Sequence, residues 1–210
     1  MRKLMVTTFL TLDGVMQAPG GPEEDAAGGF AQGGWSFGYW DDVVDRDMAA
    51  FMGRPFELLL GRKTYEIFNA FWPRSTDPGA DVLNSARKHV ASRTLGSVDW
   101  KNSTLIKGDV AKYVADLRKS DGPEIQVHGS GDLIQTLLKH DLVDEFHLMT
   151  FPVVIGSGKR LFAGGTVPAG LKVTDVKTSG SGVVIATYER AGDIKRGSFA
   201  QQQPSGAERS

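Results

Sequence analysis

The chain has 210 residues, a length that suits one domain able to bury a core without disulfides or metals. Hydrophobic residues make up 40% and the net charge is −1, so the basic excess of a nucleic-acid binder is missing. There is no cysteine, which excludes disulfides, thiol catalysis and cysteine zinc sites and fits a reducing, cytoplasmic setting.

Met1-Arg2-Lys3 before Leu4 to Leu12 has the outline of a short signal peptide. Thr7, Thr8 and Thr11 interrupt it and Asp13-Gly14 ends it, so a strand and a turn are expected instead. No stretch reaches the ~18 apolar residues of a membrane span. Residues 17–38 are crowded with glycine and hold Phe30, Trp35 and Phe37; a loop this long in a compact domain is functional or disordered. Asp41 or Asp42 can cap a helix running to about Met52, with Val44, Met48 and Phe51 on one face. A strand over Phe56 to Leu60 leads to a helix over Thr64 to Phe71, halted by Trp72-Pro73. Asp77-Pro78-Gly79 reads as loop.

Strands are expected over Lys88 to Ser92 and Ser103 to Lys107. Asp109 caps a helix that places Val110, Val114 and Leu117 on one face and Arg118 and Lys119 in its last turn. Glu124 to His128 is a strand, and Gly129-Ser130-Gly131 turns it into a helix bearing Leu133, Ile134, Leu137 and Leu138. Glu145 to Ile155 reads as a long strand. Leu171 to Thr178 and Val183 to Arg190 flank a Ser-Gly repeat and form a closing pair. The domain is expected over residues 1–190, with a polar flexible tail over 191–210. Strand–helix alternation from Phe56 to Ile155 predicts an α/β fold with a mostly parallel sheet, helices on both faces and an antiparallel edge.

Three turns carry chemistry. Gly61-Arg62-Lys63-Thr64 joins a strand to a helix, where unpaired N–H groups, a guanidinium and a hydroxyl can hold an anion. The same residues also read as an ordinary turn with a solvated Arg62 and a Thr64 cap. Gly129-Ser130-Gly131-Asp132-Leu133 is a second such turn, with glycines that permit close approach to a pyrophosphate. It lacks the dinucleotide fingerprint, because Ile134 stands where a third glycine belongs, and Asp132 opposes phosphate unless it points away. Ser92-Arg93 can hold a 2′-phosphate or be a plain surface pair. Gly156-Ser157-Gly158-Lys159 imitates a P-loop, but Val153 and Arg160 break the motif.

The order of these turns resembles the dihydrofolate-reductase fold superfamily. It is most similar to the C-terminal reductase domain of the bifunctional riboflavin-biosynthesis deaminase/reductase and its stand-alone relatives. The carriers are Thr11-Leu12-Asp13-Gly14, Leu60 to Glu66, His128 to Leu133, Leu142-Val143-Asp144-Glu145 and Pro152 to Gly156. The resemblance implies an NADPH-dependent reductase of a small heterocyclic, pterin- or pyrimidine-like compound, and a homodimer. It implies that Gly61, Arg62, Lys63 and Thr64 hold cofactor phosphates. Gly129 to Leu133 would hold the pyrophosphate, Ser92 and Arg93 the 2′-phosphate side, and Lys107 the adenine end. Asp47 and Phe51, one helical turn apart, are similar to the acid and stacking ring of dihydrofolate reductases. They also fit a solvated charge and a core side chain. Asp13 lies near the expected nicotinamide end, or only builds its turn. Trp35, Phe37, Tyr39 and Trp40 fit a substrate lid, a dimer interface or core. Gly34-Trp35-Ser36 replaces the Pro-Trp of true dihydrofolate reductases, which argues against dihydrofolate itself. The four histidines show no metal-ligand spacing. A cofactor-binding sensor or a dimeric interaction module on the same fold is the alternative to an enzyme.

Overall fold

A run of apolar residues and threonines makes the strand β1 (Leu4–Thr11) a central one, buried on both faces along almost its whole length. The structure, a computed structural model, describes residues 1–198. The helix α1 (Asp42–Met52) follows the glycine-rich loop; its N-cap Asp41 accepts from the Val43 and Val44 N–H groups. Next come β2 (Phe56–Gly61), α2 (Arg62–Phe71), α3 (Ala80–Ser85) and β3 (Lys88–Ala91). They are followed by β4 (Ser103–Ile106), α4 (Val110–Lys119), β5 (Glu124–His128), α5 (Gly131–Lys139) and β6 (Glu145–Phe151). β7 (Leu171–Thr178) and β8 (Val184–Arg190) are the last strands among the described residues.

Among the described residues eight strands form one sheet in the order β4-β3-β2-β5-β1-β6-β8-β7. The first six run parallel; β8 pairs antiparallel with β6 and with β7. This is the three-layer dihydrofolate-reductase-like fold. On one face Leu4, Val6, Leu59, Ile125, Val127 and Leu148 pack against Val114 of α4 and Ile134 and Leu137 of α5. On the other, Leu58, Leu60 and Val90 pack against Tyr65 and Leu83, and Met149, Phe151 and Ile185 against Val44. Burying each large apolar side chain contributes roughly 1.5–3 kcal/mol.

The expected elements are all present, with shifted ends. β6 stops at Phe151 because Pro152 has no N–H to offer the ladder. α2 starts at Arg62 rather than Thr64. α3 was not expected: at six residues it is too short to display a helical period. Ala191 and Gly192 bond to Gly170 through the backbone, so the ordered chain passes residue 190. Positions 199–210 of the expected tail lie outside the described residues.

The 17–38 segment is fastened. Gln17 Nε2 donates to the carbonyls of Asp25 and Ala27, both at 3.0 Å, and the indole N–H of Trp35 donates to Gln17 O. Phe30 packs on Val15 and Ala18. The imitation P-loop serves this packing: a Cβ on Gly158 would meet Val15 Cγ1 at 2.8 Å and Phe30 at 3.0 Å.

Candidate active site

β2 and β5 are neighbours, yet the chain leaves them in opposite directions: β2 continues through α2 to β3, and β5 through α5 to β6. At such a switch point the two loops splay apart and leave a crevice at the carboxyl ends of the strands. Both turns predicted to hold an anion lie here and touch. Ser130 Oγ accepts from Gly61 N–H at 2.9 Å and donates to Thr64 Oγ1 at 2.5 Å. Gly61 has an ordinary extended backbone (φ −77°, ψ 163°), so the turn itself does not demand glycine. Contact does: a Cβ there would meet Ser130 Cβ at 2.7 Å and Oγ at 2.8 Å. Ser130 is left-handed, φ 71°, a strained state for a serine.

The helix starts differ in a way that matters. α1 and α4, away from the crevice, are capped by the side chains of Asp41 and Asp109. Among the described residues the six-residue α3 has no side-chain cap, and neither have α2 and α5, at the crevice. Their first-turn N–H groups and the positive ends of their dipoles are therefore available to an anion.

The other predicted cofactor residues share this edge of the sheet. Ser92 and Arg93 follow β3, and Lys107 follows β4. In sheet order the sequence is Lys107, Ser92-Arg93, Gly61 to Thr64, Gly129 to Leu133, Asp13. Four strand spacings make this row roughly 19 Å long. Arg62 and Lys63 are exposed and lean on Glu66 at 3.8 and 3.7 Å. Arg93, Lys107 and Asp132 are exposed. Ser92 Oγ accepts from Thr94 and Leu95 N–H, so its lone pairs serve its own turn. Leu133 is a core side chain and can offer only its backbone. A cleft of about 460 Å³ separates α2 from the glycine-rich loop, with Glu24 and Asp25 on one wall and Lys63 and Glu66 on the other.

Asp47 and Phe51 lie elsewhere, between α1 and the sheet. His147 Nε2 is 2.7 Å from Asp47 Oδ2, and Lys177 Nζ is 2.5 Å from Oδ1. Burial pushes the Asp47 carboxyl up, but His147 and Lys177 pull harder and leave it below its ordinary value. Phe51 stacks on His147, and the Arg54 guanidinium stands 4.9 Å over the ring. A parallel stack covers one face, so the cation takes the other. Asp13 accepts from the Thr11 hydroxyl and from Ile155 and Gly156 N–H, and it pairs with Arg160. The Thr11 bond, with these backbone donors, holds its carboxyl well below the usual range although burial opposes the shift. Trp35 and Tyr39 pack on Phe151; Trp40 lies edge-on to Phe9, and Phe37 is exposed.

His147, Lys177 and Gln126 were not anticipated. The signal was present for His147, a titratable side chain in the middle of a largely apolar, buried strand. Lys177 meets Asp47 only through the closing hairpin. No cluster of potential metal ligands occurs among the described residues, and none of their helices is long and apolar enough to cross a membrane.

Residues 2–185 match the family model described as the RibD C-terminal domain. The chain is 29% identical over 194 residues to the uncharacterized protein YyaP of Bacillus subtilis, covering 89% of this chain and 94% of that one. A putative riboflavin biosynthesis protein from Shewanella sp. PV-4 superposes with a TM-score of 0.70 at 24% identity, covering 90% and 98% of the two chains. Dihydrofolate reductase from Enterococcus faecalis, solved with NADP(H) and RAB-propyl, gives 0.56 at 13% identity, covering 90% and 96%. The structural likenesses establish the fold.

Proposed function

The chain belongs to the RibD C-terminal domain family, and we propose that it is an NADPH-dependent reductase of a small heterocyclic, pterin- or pyrimidine-like compound. One observation carries this reading: the two helices that open at the switch point are uncapped, and their turns are bolted together through Ser130. That arrangement suits a pyrophosphate bridging two helix starts.

In this reading Gly61 to Thr64 and Gly129 to Leu133 cradle the phosphates: Gly61, whose own N–H serves Ser130, holds the two turns together, the backbone N–H groups of the helix starts bind, and Arg62 and Lys63 add charge. Arg93 binds the 2′-phosphate, assisted by Ser92, and Lys107 borders the adenine. Bound nicotinamide would supply the hydride; the protein supplies orientation and exclusion of water. Asp13 frames the nicotinamide end of the groove, and Trp35 and Trp40 wall the substrate side. Asp47 acts as a fixed anion that holds His147 and, through it, Phe51. A homodimer fits the edge strand β7, which is exposed along its whole length and shows Val173 and Val176 to solvent.

The test is a titration of NADPH fluorescence, followed by NADPH oxidation across pterins, pyrimidines and quinones. Arg62→Ala should weaken NADPH binding about tenfold, and Arg93→Ala should narrow the preference over NADH. An absence of binding, with no effect of Arg62→Ala, would sink the proposal. Lys177 and His147, already seated on Asp47, favour a second reading, a cofactor-binding sensor without turnover. That protein would bind NADPH and oxidise it with no member of the panel.

A further inference from the structure

Two side chains beneath α1 carry polar atoms for which the protein has no use. Thr7 of β1 is in register with His128 of β5 on one side and with His147 of β6 on the other. Partners in register point to the same face, so the three form one row across three strands. Thr7 is only 3% exposed, and its hydroxyl has no hydrogen-bond partner among the described residues. The Thr7 hydroxyl is not among the fully enclosed unpaired side-chain atoms of the described residues, so it keeps some contact with solvent and is open to a ligand.

His128 is half-buried at the last position of β5, directly before Gly129. Its Nε2 lies 2.9 Å from Gln126 Oε1, and Gln126 Nε2 donates to Glu124 Oε1 at 2.6 Å. A carboxylate only accepts, so the amide must turn its NH₂ to Glu124 and its oxygen to His128. The imidazole therefore carries its proton on Nε2 and keeps a free lone pair on Nδ1. No described residue bonds to Nδ1. Burial, with a smaller push from His147, lowers the ring to about 4, so it stays neutral. Phe51, Phe56 and Phe68 surround it with ring centroids 6.1, 6.3 and 6.4 Å away.

We propose that Thr7 Oγ1 and His128 Nδ1 are a donor–acceptor pair that reads the amide-like edge of a planar ring. Thr7 donates to a carbonyl oxygen or ring nitrogen, and His128 accepts from the adjacent N–H. The inference rests on the reductase reading, because His128 adjoins the turn assigned to the pyrophosphate. Two partners carry such an edge: the carboxamide of the nicotinamide and the acceptor heterocycle. Either would lie beside the Phe51, Phe56 and Phe68 rings that surround His128, where one unmatched hydrogen bond discriminates.

The experiment is ¹⁵N NMR of histidine-labelled protein, with backbone amides followed in parallel. The probes are NADP⁺, its 3-acetylpyridine analogue, which lacks the amide N–H, and 6-aminouracil. The expected result is an Nε2–H tautomer whose Nδ1 resonance moves with a donor-bearing probe. Movement with NADP⁺ but not with the analogue assigns the carboxamide. Movement with 6-aminouracil assigns the acceptor ring. His128→Phe and Thr7→Val should then each weaken that probe about tenfold. An Nδ1–H tautomer overturns the pair outright. So does an unmoved Nδ1 when the Gly61 and Gly131 amides respond to NADP⁺, and the cofactor reading then survives. If those amides do not respond, the cofactor reading fails. The pair then falls with it unless 6-aminouracil moves Nδ1.

Discussion

The ring of Phe51 lies face to face with the imidazole of His147, centroids 4.6 Å apart and planes 9° from parallel. The stack joins α1 to the centre of the sheet. It also aims His147 Nε2 at Asp47, one helical turn before Phe51. Helix, strand and closing hairpin therefore meet on one carboxylate, because Lys177 reaches Asp47 from β7.

This carboxylate makes the protein acid-sensitive in a definite direction. Its folded pKa is below the ordinary 3.8: burial alone would raise it, and the His147 and Lys177 contacts outweigh burial. Such a group contributes its stability above 3.8 and loses it as pH falls through the folded value. Urea unfolding of the wild type should show that loss below about pH 4. Asp47→Asn should cost ~1–3 kcal/mol at pH 7, the lower end reflecting the partly exposed Lys177, and should flatten the acid limb. An acid limb equally steep in both proteins would show that the stability comes from elsewhere.

The contact between Gly61 and Ser130 gives a two-residue test. Gly61→Ala places a methyl 2.7 Å from Ser130 Cβ, so β2 and β5 must shift. The expected cost is ~1–3 kcal/mol, with weaker NADPH binding. Ser130→Gly removes the clashing atoms and relieves the left-handed backbone, at the expense of the bonds to Gly61 and Thr64. The double variant should be more stable than additivity allows. A double-mutant cycle by thermal melting decides it; strict additivity would mean that the close approach is not what excludes a side chain at position 61.

Lys88 is fully buried, and among the described residues no carboxylate pairs with it. Its ammonium donates to the carbonyls of Asn84, Ala86 and Lys101 at 3.0, 2.7 and 3.0 Å, and it stands 4.1 Å over the Trp100 ring. Burial, and then the charge of Lys101, push it down to about 8. The folded state therefore binds fewer protons than the unfolded state between about 8 and 10.5, and stability from this group rises with pH there. Lys88→Met should abolish that rise. It should also cost ~2–4 kcal/mol at pH 7, since three carbonyls lose their donor. A Lys88→Met protein that melts like the wild type would refute the idea that the ammonium ties α3 to β3 and the approach to β4.

The parallel core was legible because its strands are short apolar runs with turn residues between them, as in Leu58-Leu59-Leu60-Gly61. The two uncapped turns were legible for the same local reason: strand, glycine and helix are consecutive in the chain. The Asp47 cluster was not, since its partners lie 100 and 130 positions away and join it only through sheet order. The reason for a glycine at position 61 was not legible, because the atoms that exclude a side chain there belong to Ser130, 69 positions away. Phe51 illustrates the limit in the other direction. Its position on α1 was clear, but the two groups that flank it come from Arg54 and from β6.

The glycine-rich loop read as functional or disordered, and one buried side chain, Gln17, supplies several of the bonds that fasten it. Gln17 is 4% exposed; Nε2 donates to Asp25 O and Ala27 O, and Oε1 accepts from Lys159 N–H at 3.0 Å. Lys159 also pairs with Asp25 at 2.5 Å, although that pair is partly exposed and contributes less. Gln17→Ala removes three hydrogen bonds at once and leaves two carbonyls and an N–H without their partner. The global cost should be about 1–3 kcal/mol. The larger effect should be local, because the sheet does not depend on residues 20–29. Amide exchange across 20–36 should accelerate at least about tenfold while the β1 and β5 amides keep their protection. Uniform acceleration throughout the sheet would mean that the loop and core open as one unit, and Gln17 would then be a core residue and not the fastening of a separable loop.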